Sequence, residues 1–176
     1  MSFLRAIFGG RIMSKIQTGS PAPMFALGGI DGRQHSLADA LKKGPVLAAF
    51  FKVSCPVCQL AFPFLERIYD TYGDATVSFW GVSQDTAHDT QEFLDEFGVK
   101  FPTLIDADGY KATKQYGLTN VPSIFLIQPD GKVHTASVGF AKKDLEAIAA
   151  EIAKASGKAT QRLFRPDEKV PEYRPG

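Results

Sequence analysis

Phe50–Pro63, FFKVSCPVCQLAFP, holds both cysteines of the chain, Cys55 and Cys58, with Pro56 and Val57 between them. An unbroken apolar run, Val46–Phe51, leads into the pair, and Leu60, Phe64 and Ile68 lead away from it at helical spacing. A buried strand therefore turns into a helix at the cysteines. Pro56 suits the first helical position, because its fixed φ matches a helix start and its missing N–H would have no partner there. Cys55 then falls at the cap. Its sulfur would face the unpaired N–H groups of Val57 and Cys58 and the positive end of the helix dipole, both of which favour thiolate over thiol. Cys55 is thus the expected nucleophile. Cys58, nearly one turn further in and less exposed, is placed to attack the resulting mixed disulfide and close an intramolecular bond.

Other uses of this spacing fit less well. Tetrahedral zinc needs four ligands, and the chain offers no third cysteine, only His35, His88 and His134 scattered singly. A purely structural bridge across so short a loop would remove little chain entropy. No metal and no cofactor is called for by these residues. The net charge of +1, from 20 basic and 19 acidic residues, gives no electrostatic case for nucleic acid or an anionic membrane. No apolar run is long enough to span a bilayer.

The 176 residues suit one domain with tails: an N-terminal extension over 1–20, a domain over 21–157 and a C-terminal tail over 158–176. In the extension, Arg5 and Arg11 interrupt a short apolar patch, so a secretory signal is not expected. The expected compartment is the cytoplasm, with the periplasm as the alternative. Met13 is an equally good start, leaving the first dozen residues as a loose lead-in. Asp31-Gly32 marks a hairpin between Met24–Leu27 and Arg33–Ser36, and Ser36 a cap for a short helix. The helix from Pro56 should reach Tyr72 with Pro63 kinking it. Strands are expected over Thr76–Val82, Thr103–Ile105, Ser123–Gln128 and Lys132–Val138, with helices over Thr86–Phe97, before Tyr116-Gly117 and over Lys142–Ala155. The proline-rich end is expected to lie loosely on the surface, with Leu163 and Phe164 as anchors. Together these elements form an α/β domain, a mixed central sheet with helices on both faces and an added N-terminal β-hairpin.

Three local features, Cys55-Pro56-Val57-Cys58 after a strand, Pro63 five residues past the second cysteine and Val121-Pro122 before SIFLIQ, resemble the thioredoxin fold. Within that fold the chain looks most like the TlpA/ResA-type thiol-disulfide oxidoreductases, which are grouped with the AhpC/TSA-type redoxins. The resemblance covers roughly residues 21–155. It implies a redox-active Cys55–Cys58 disulfide, protein thiols and disulfides as substrates, a separate redox partner that resets the pair, and a place in cell redox homeostasis and antioxidant activity. It also implies that Pro122 is cis and that Val121 offers its backbone to an extended substrate.

Departures from the family pattern affect the site. Ser54 stands where many relatives carry Trp, giving a smaller and more polar rim for substrate. Ala61 stands where ResA-type relatives have Glu, and Ala49 where thioredoxin has a buried Asp, so both usual proton acceptors for Cys58 are missing. Lys52, Glu66, Asp85 or ordered water are the available substitutes, and the alternative is slow resolution by Cys58. With Pro-Val between the cysteines, an intermediate reduction potential is expected.

Two other functions compete. A peroxiredoxin-like thiol peroxidase would need a proline, then Thr or Ser four residues on, then cysteine three residues beyond. Counted back from Cys55 the chain offers Ala48 and Lys52, and from Cys58 it offers Phe51 and Cys55. A copper-binding redoxin would use both thiolates and a histidine, and that branch usually has a longer cysteine spacing.

Overall fold

The computed structural model describes residues 15–176. The readings of Arg5, Arg11 and Met13 lie outside the described residues. Chain order begins with a hairpin, β1 (Ala26–Gly28) and β2 (Gln34–Ser36), turned at Asp31-Gly32, where Gly32 takes φ 75°. Ser36 then caps α1 (Leu37–Leu41) by accepting from Asp39 N. Next come β3 (Val46–Phe51), α2 (Pro56–Tyr72), β4 (Ser78–Ser83), α3 (Ala87–Phe97), β5 (Thr103–Ile105) and α4 (Lys111–Gln115). The last elements are β6 (Ser123–Ile127), β7 (Val133–Val138), β8 (Phe140–Ala141), α5 (Lys142–Ala155) and β9 (Tyr173–Arg174).

The central sheet has the order β5-β4-β3-β6-β7, with β3 parallel to β4, β4 parallel to β5, and β6 antiparallel to both β3 and β7. β3 lies in the middle, and every residue in it is buried. Its alternate side chains divide the interior. Leu47, Ala49 and Phe51 face a core shared with α2, α3 and α5, whereas Val46, Ala48 and Phe50 face one shared with α1 and α4. This two-sided burial is why VLAAFF is continuously apolar rather than alternating.

Each helix ends where its residues permit. Thr86 caps α3 by accepting from Asp89 N, and Gly98 closes it in the left-handed region at φ 66°. Helix α2 runs unbroken through Pro63, and β4 starts at Ser78 rather than Thr76, because the Asp74 carboxylate accepts from Thr76 N and holds a turn there. Among the described residues, no helix is long and apolar enough to cross a membrane.

The tail differs from the loose segment that its composition suggests. Leu163 and Phe164 are buried as expected, with the Phe164 ring 4.8 Å from that of Phe64 and 6.0 Å from that of Phe140. Burying one such ring is worth about 1.5–3 kcal/mol. Arg67 of α2 donates to the Leu163 carbonyl at 2.7 Å and to both Glu168 carboxylate oxygens at 2.7 and 3.0 Å. The Arg67 guanidinium, helped by Arg165 N, lowers the Glu168 carboxyl to about 2. Beyond this clamp β9 pairs antiparallel with β8, and Lys142 N donates to the Glu172 carbonyl.

Candidate active site at the cysteine pair

β3 ends at Phe51, four residues before Cys55, so the cysteines emerge at the carboxyl edge of the central strand. A tight turn follows, in which Cys55 N donates to the Lys52 carbonyl at 3.2 Å. Cys55 is extended (φ −84°, ψ 114°) and caps α2 with its sulfur, which accepts from Cys58 N at 3.2 Å. Gln59 Nε2 donates to the Val53 carbonyl, and Val53 N donates to Asp85 Oδ2 at 2.8 Å, so both sides of the turn are held.

The two thiols are free and differ sharply in environment: Cys55 is half-buried, whereas Cys58 is fully buried. The Cys55 thiol is lowered to about 6, chiefly by the hydrogen bond from the Cys58 thiol and then by the N–H groups of Cys58 and Val57, against the opposing effect of burial. The sequence points to the N–H groups alone. The larger cause is the second sulfur. Cys58 is pushed far up, first by burial, then by its bond to Cys55 and by the negative charges of Cys55 and Asp85. One sulfur is thus an anion at neutral pH and the other holds its proton.

The Val121–Pro122 peptide is cis, and Val121 O lies 3.5 Å from Cys55 Sγ. Pro122 is buried, its carbonyl accepts from Gly139 N, and Ser123 Oγ donates to the Asn120 carbonyl, which fixes the loop. Ser54 is exposed on the rim. The structure therefore gathers Cys55, Cys58, Val121 and Pro122, with Ser54 beside them.

Of the substitutes for the missing proton acceptor, Glu66 is excluded by position. Its Oε2 accepts from Lys100 N and Phe101 N, ahead of β5 and so at the edge of the sheet opposite the cysteines. Ala49 and Ala61 are buried and supply no polar group. Lys52 meets Cys58 only through its backbone N–H. Asp85 is the carboxylate whose charge reaches Cys58.

Among the described residues, the side chains that the competing chemistries add to the cysteines are not found beside the pair. Ala48 is buried in β3 and Lys52 carries no hydroxyl, so neither requirement of the peroxidase pattern is met at Cys55. His35 pairs with Asp31, His88 with Glu92 and His134 with Glu151, and the cluster of possible metal ligands found among the described residues, His88, Asp89 and Glu92, contains neither cysteine.

Sequence reasoning did not anticipate two further features. The tail reaches the site: Asn120 Nδ2 donates to the Gly176 carbonyl at 3.0 Å, and a Cβ at Gly176 would overlap the Val121 carbonyl. Beside Val121 there is also an open cavity of about 390 Å³. Neither has a local sequence signal, because both arise where distant segments meet.

Comparison with known proteins places this geometry. The model of the AhpC/TSA family matches residues 18–136. The thiol-disulfide oxidoreductase ResA of Bacillus thuringiensis (strain Al Hakam) is 32% identical over 131 residues, which are 74% of this chain and 75% of the relative. ResA of Bacillus subtilis (strain 168) is 31% identical over 129 residues, 73% of this chain and 70% of the relative. A solved structure from Chlorobium tepidum, assigned as the thiol:disulfide interchange protein DsbE, superposes with a TM-score of 0.70 at 30% identity, covering 81% of this chain and 100% of the other. With a thioredoxin-like sheet, one half-buried sulfur at the mouth of a helix and a second, buried sulfur behind it, the chain belongs to the AhpC/TSA family and, within it, to the ResA-type thiol-disulfide oxidoreductases.

Proposed function

We propose that Cys55 is the nucleophile and Cys58 the resolving residue, acting on disulfides of proteins docked against Ser54 and the Val121-Pro122 loop. The Cys55 thiolate attacks one substrate sulfur, forming a mixed disulfide and expelling the other sulfur as a thiolate. Cys58 then loses its proton and attacks Cys55 Sγ, releasing the second substrate thiol and leaving a Cys55–Cys58 disulfide. Asp85 is the group that takes the Cys58 proton, since it is the carboxylate whose charge reaches that thiol. A separate redox partner resets the pair. Stabilising the Cys55 thiolate stabilises the reduced form, which favours an intermediate rather than a strongly reducing potential. The compartment we propose is the cytoplasm.

The observation that carries this reading is the opposite treatment of two sulfurs joined by one hydrogen bond, one lowered to about 6 and the other pushed up. Cys58→Ser should trap mixed disulfides through Cys55, and the native protein should reduce insulin. A protein that traps nothing and leaves insulin intact would refute it.

A further inference from the structure

Two features meet at Val121. One is the chain's own tail: β9 is paired to β8, Gly176 lies against the Val121 carbonyl, and Gly139 has no room for a Cβ because Arg174, Pro175 and Gly176 cross it. The other is the cavity of about 390 Å³, bordered by Lys52, Gln84, Tyr110, Lys114, Asn120 and Val121 itself, with Asn120 held by the tail through Gly176 O. Its volume is in the range of small-molecule sites. Cys55 is not part of its wall, but two wall residues touch Cys55: Lys52 O accepts from Cys55 N, and Val121 O lies 3.5 Å from Cys55 Sγ.

The chemistry of the lining is one-sided. Two lysines, Lys52 and Lys114, and the polar residues Gln84, Thr113 and Asn120 border the space, and no acidic residue does. Among the described residues neither lysine is engaged in an ion pair. The wall is fixed from behind. The buried Asp106 carboxylate accepts from Ala112 N at 3.0 Å, Thr113 N at 2.8 Å and Thr113 Oγ1 at 2.7 Å, and Gln84 Nε2 donates to Thr113 Oγ1. The negative charge of Asp106 is directed into those three donors behind Thr113, which leaves the open side cationic.

We propose that this cavity is the substrate-side subsite of the cysteine pair and takes a carboxylate carried close to the reacting sulfur, so that anionic disulfides are the preferred substrates. The proposal rests on the reading that Cys55 attacks disulfides. The step balances as RSSR plus two protein thiols giving two RSH plus the Cys55–Cys58 disulfide. The disulfide is the oxidant, and the two thiol protons end on the released RSH.

The test oxidises pre-reduced full-length protein in single turnover with three disulfides of similar size: 3,3′-dithiodipropionate (anionic), bis(2-hydroxyethyl) disulfide (neutral) and cystamine (cationic). Each rate is divided by that of dithiothreitol with the same disulfide, which cancels intrinsic reactivity. At low ionic strength the anion should be preferred over the neutral compound by about five- to tenfold and cystamine disfavoured, and 0.5 M salt should shrink the preference. Lys52→Gln combined with Lys114→Gln should abolish it, whereas Lys132→Gln, on the turn at the opposite end of the sheet, should retain it. Two peptides, each with one cysteine in mixed disulfide with mercaptoethanol and flanked by Glu or by Gln, separate the sources. A preference for the Glu peptide assigns the subsite to an acidic residue beside a substrate cysteine, and a preference confined to the small disulfides assigns it to a low-molecular-weight acidic thiol. Equal normalised rates for the three disulfides, or a preference that survives in the double variant, would overturn the subsite while leaving disulfide exchange intact. Failure of all three to oxidise the protein would overturn the exchange reading and the subsite with it.

Discussion

Replacing Cys58 with alanine takes away the donor that contributes most to holding the Cys55 thiol at about 6. A hydrogen bond to a charged acceptor is worth about 1.5–3 kcal/mol, and one pKa unit corresponds to about 1.4 kcal/mol, so its loss should raise the thiol by about 1–2 units. Cys55 is half-exposed and water replaces part of the lost bond, which favours the lower end of that range. The N–H groups of Cys58 and Val57 remain and keep the thiol below its ordinary value of about 8.5. A lowered thiol is ionised above its pKa and protonated below it. At pH 7 the thiolate fraction should therefore fall from about nine-tenths to about half or less in Cys58→Ala. Cys58→Ser keeps a donor and should stay closer to the native value. The assay is the pH dependence of Cys55 alkylation by iodoacetamide, read by mass. An alanine variant whose midpoint remains at about 6, or a serine variant shifted as far as the alanine one, would refute the claim that the second sulfur tunes the first.

Two further perturbations test the surroundings. Asp85→Asn preserves an oxygen for Val53 N but removes the charge that reaches Cys58, so resolution should slow by about 10²-fold or less and the mixed disulfide should accumulate in stopped-flow mixing. Unchanged resolution would reduce Asp85 to a turn-holding role. Arg67→Ala removes the bonds to Leu163 O and Glu168, which should loosen the tail and speed hydrogen exchange over residues 163–176 severalfold while leaving β3 protected. Tail protection equal to that of the native protein would show that the buried rings alone hold it.

Much of this site was legible from fourteen residues. A continuous apolar strand, a proline at the first helical position and two cysteines a turn apart fix where the sulfurs go, because each constraint is local. The alternation of β3 between two cores, the hairpin at Asp31-Gly32 and the caps of α1 and α3 follow from equally local rules. The tail was misread because its prolines at 166, 171 and 175 signal a lack of internal structure, while what orders it is Arg67, 96 residues from its Leu163 partner. Composition carries no information about such a partner. The same limit applies to Asp85 and Glu66. Both are acidic residues downstream of the cysteines, and only the direction of β4 and the path into β5 put one beside Cys58 and the other at the far edge.

The central claim is that the two sulfurs have unequal roles set by exposure and charge. Brief alkylation of the fully reduced protein at pH 7, quenched and mapped by peptide mass, tests it most directly. The account predicts modification on Cys55 at least about 10²-fold ahead of Cys58, in keeping with one exposed thiolate and one buried thiol. Label appearing on Cys58 first, or on both at similar rates, would contradict it.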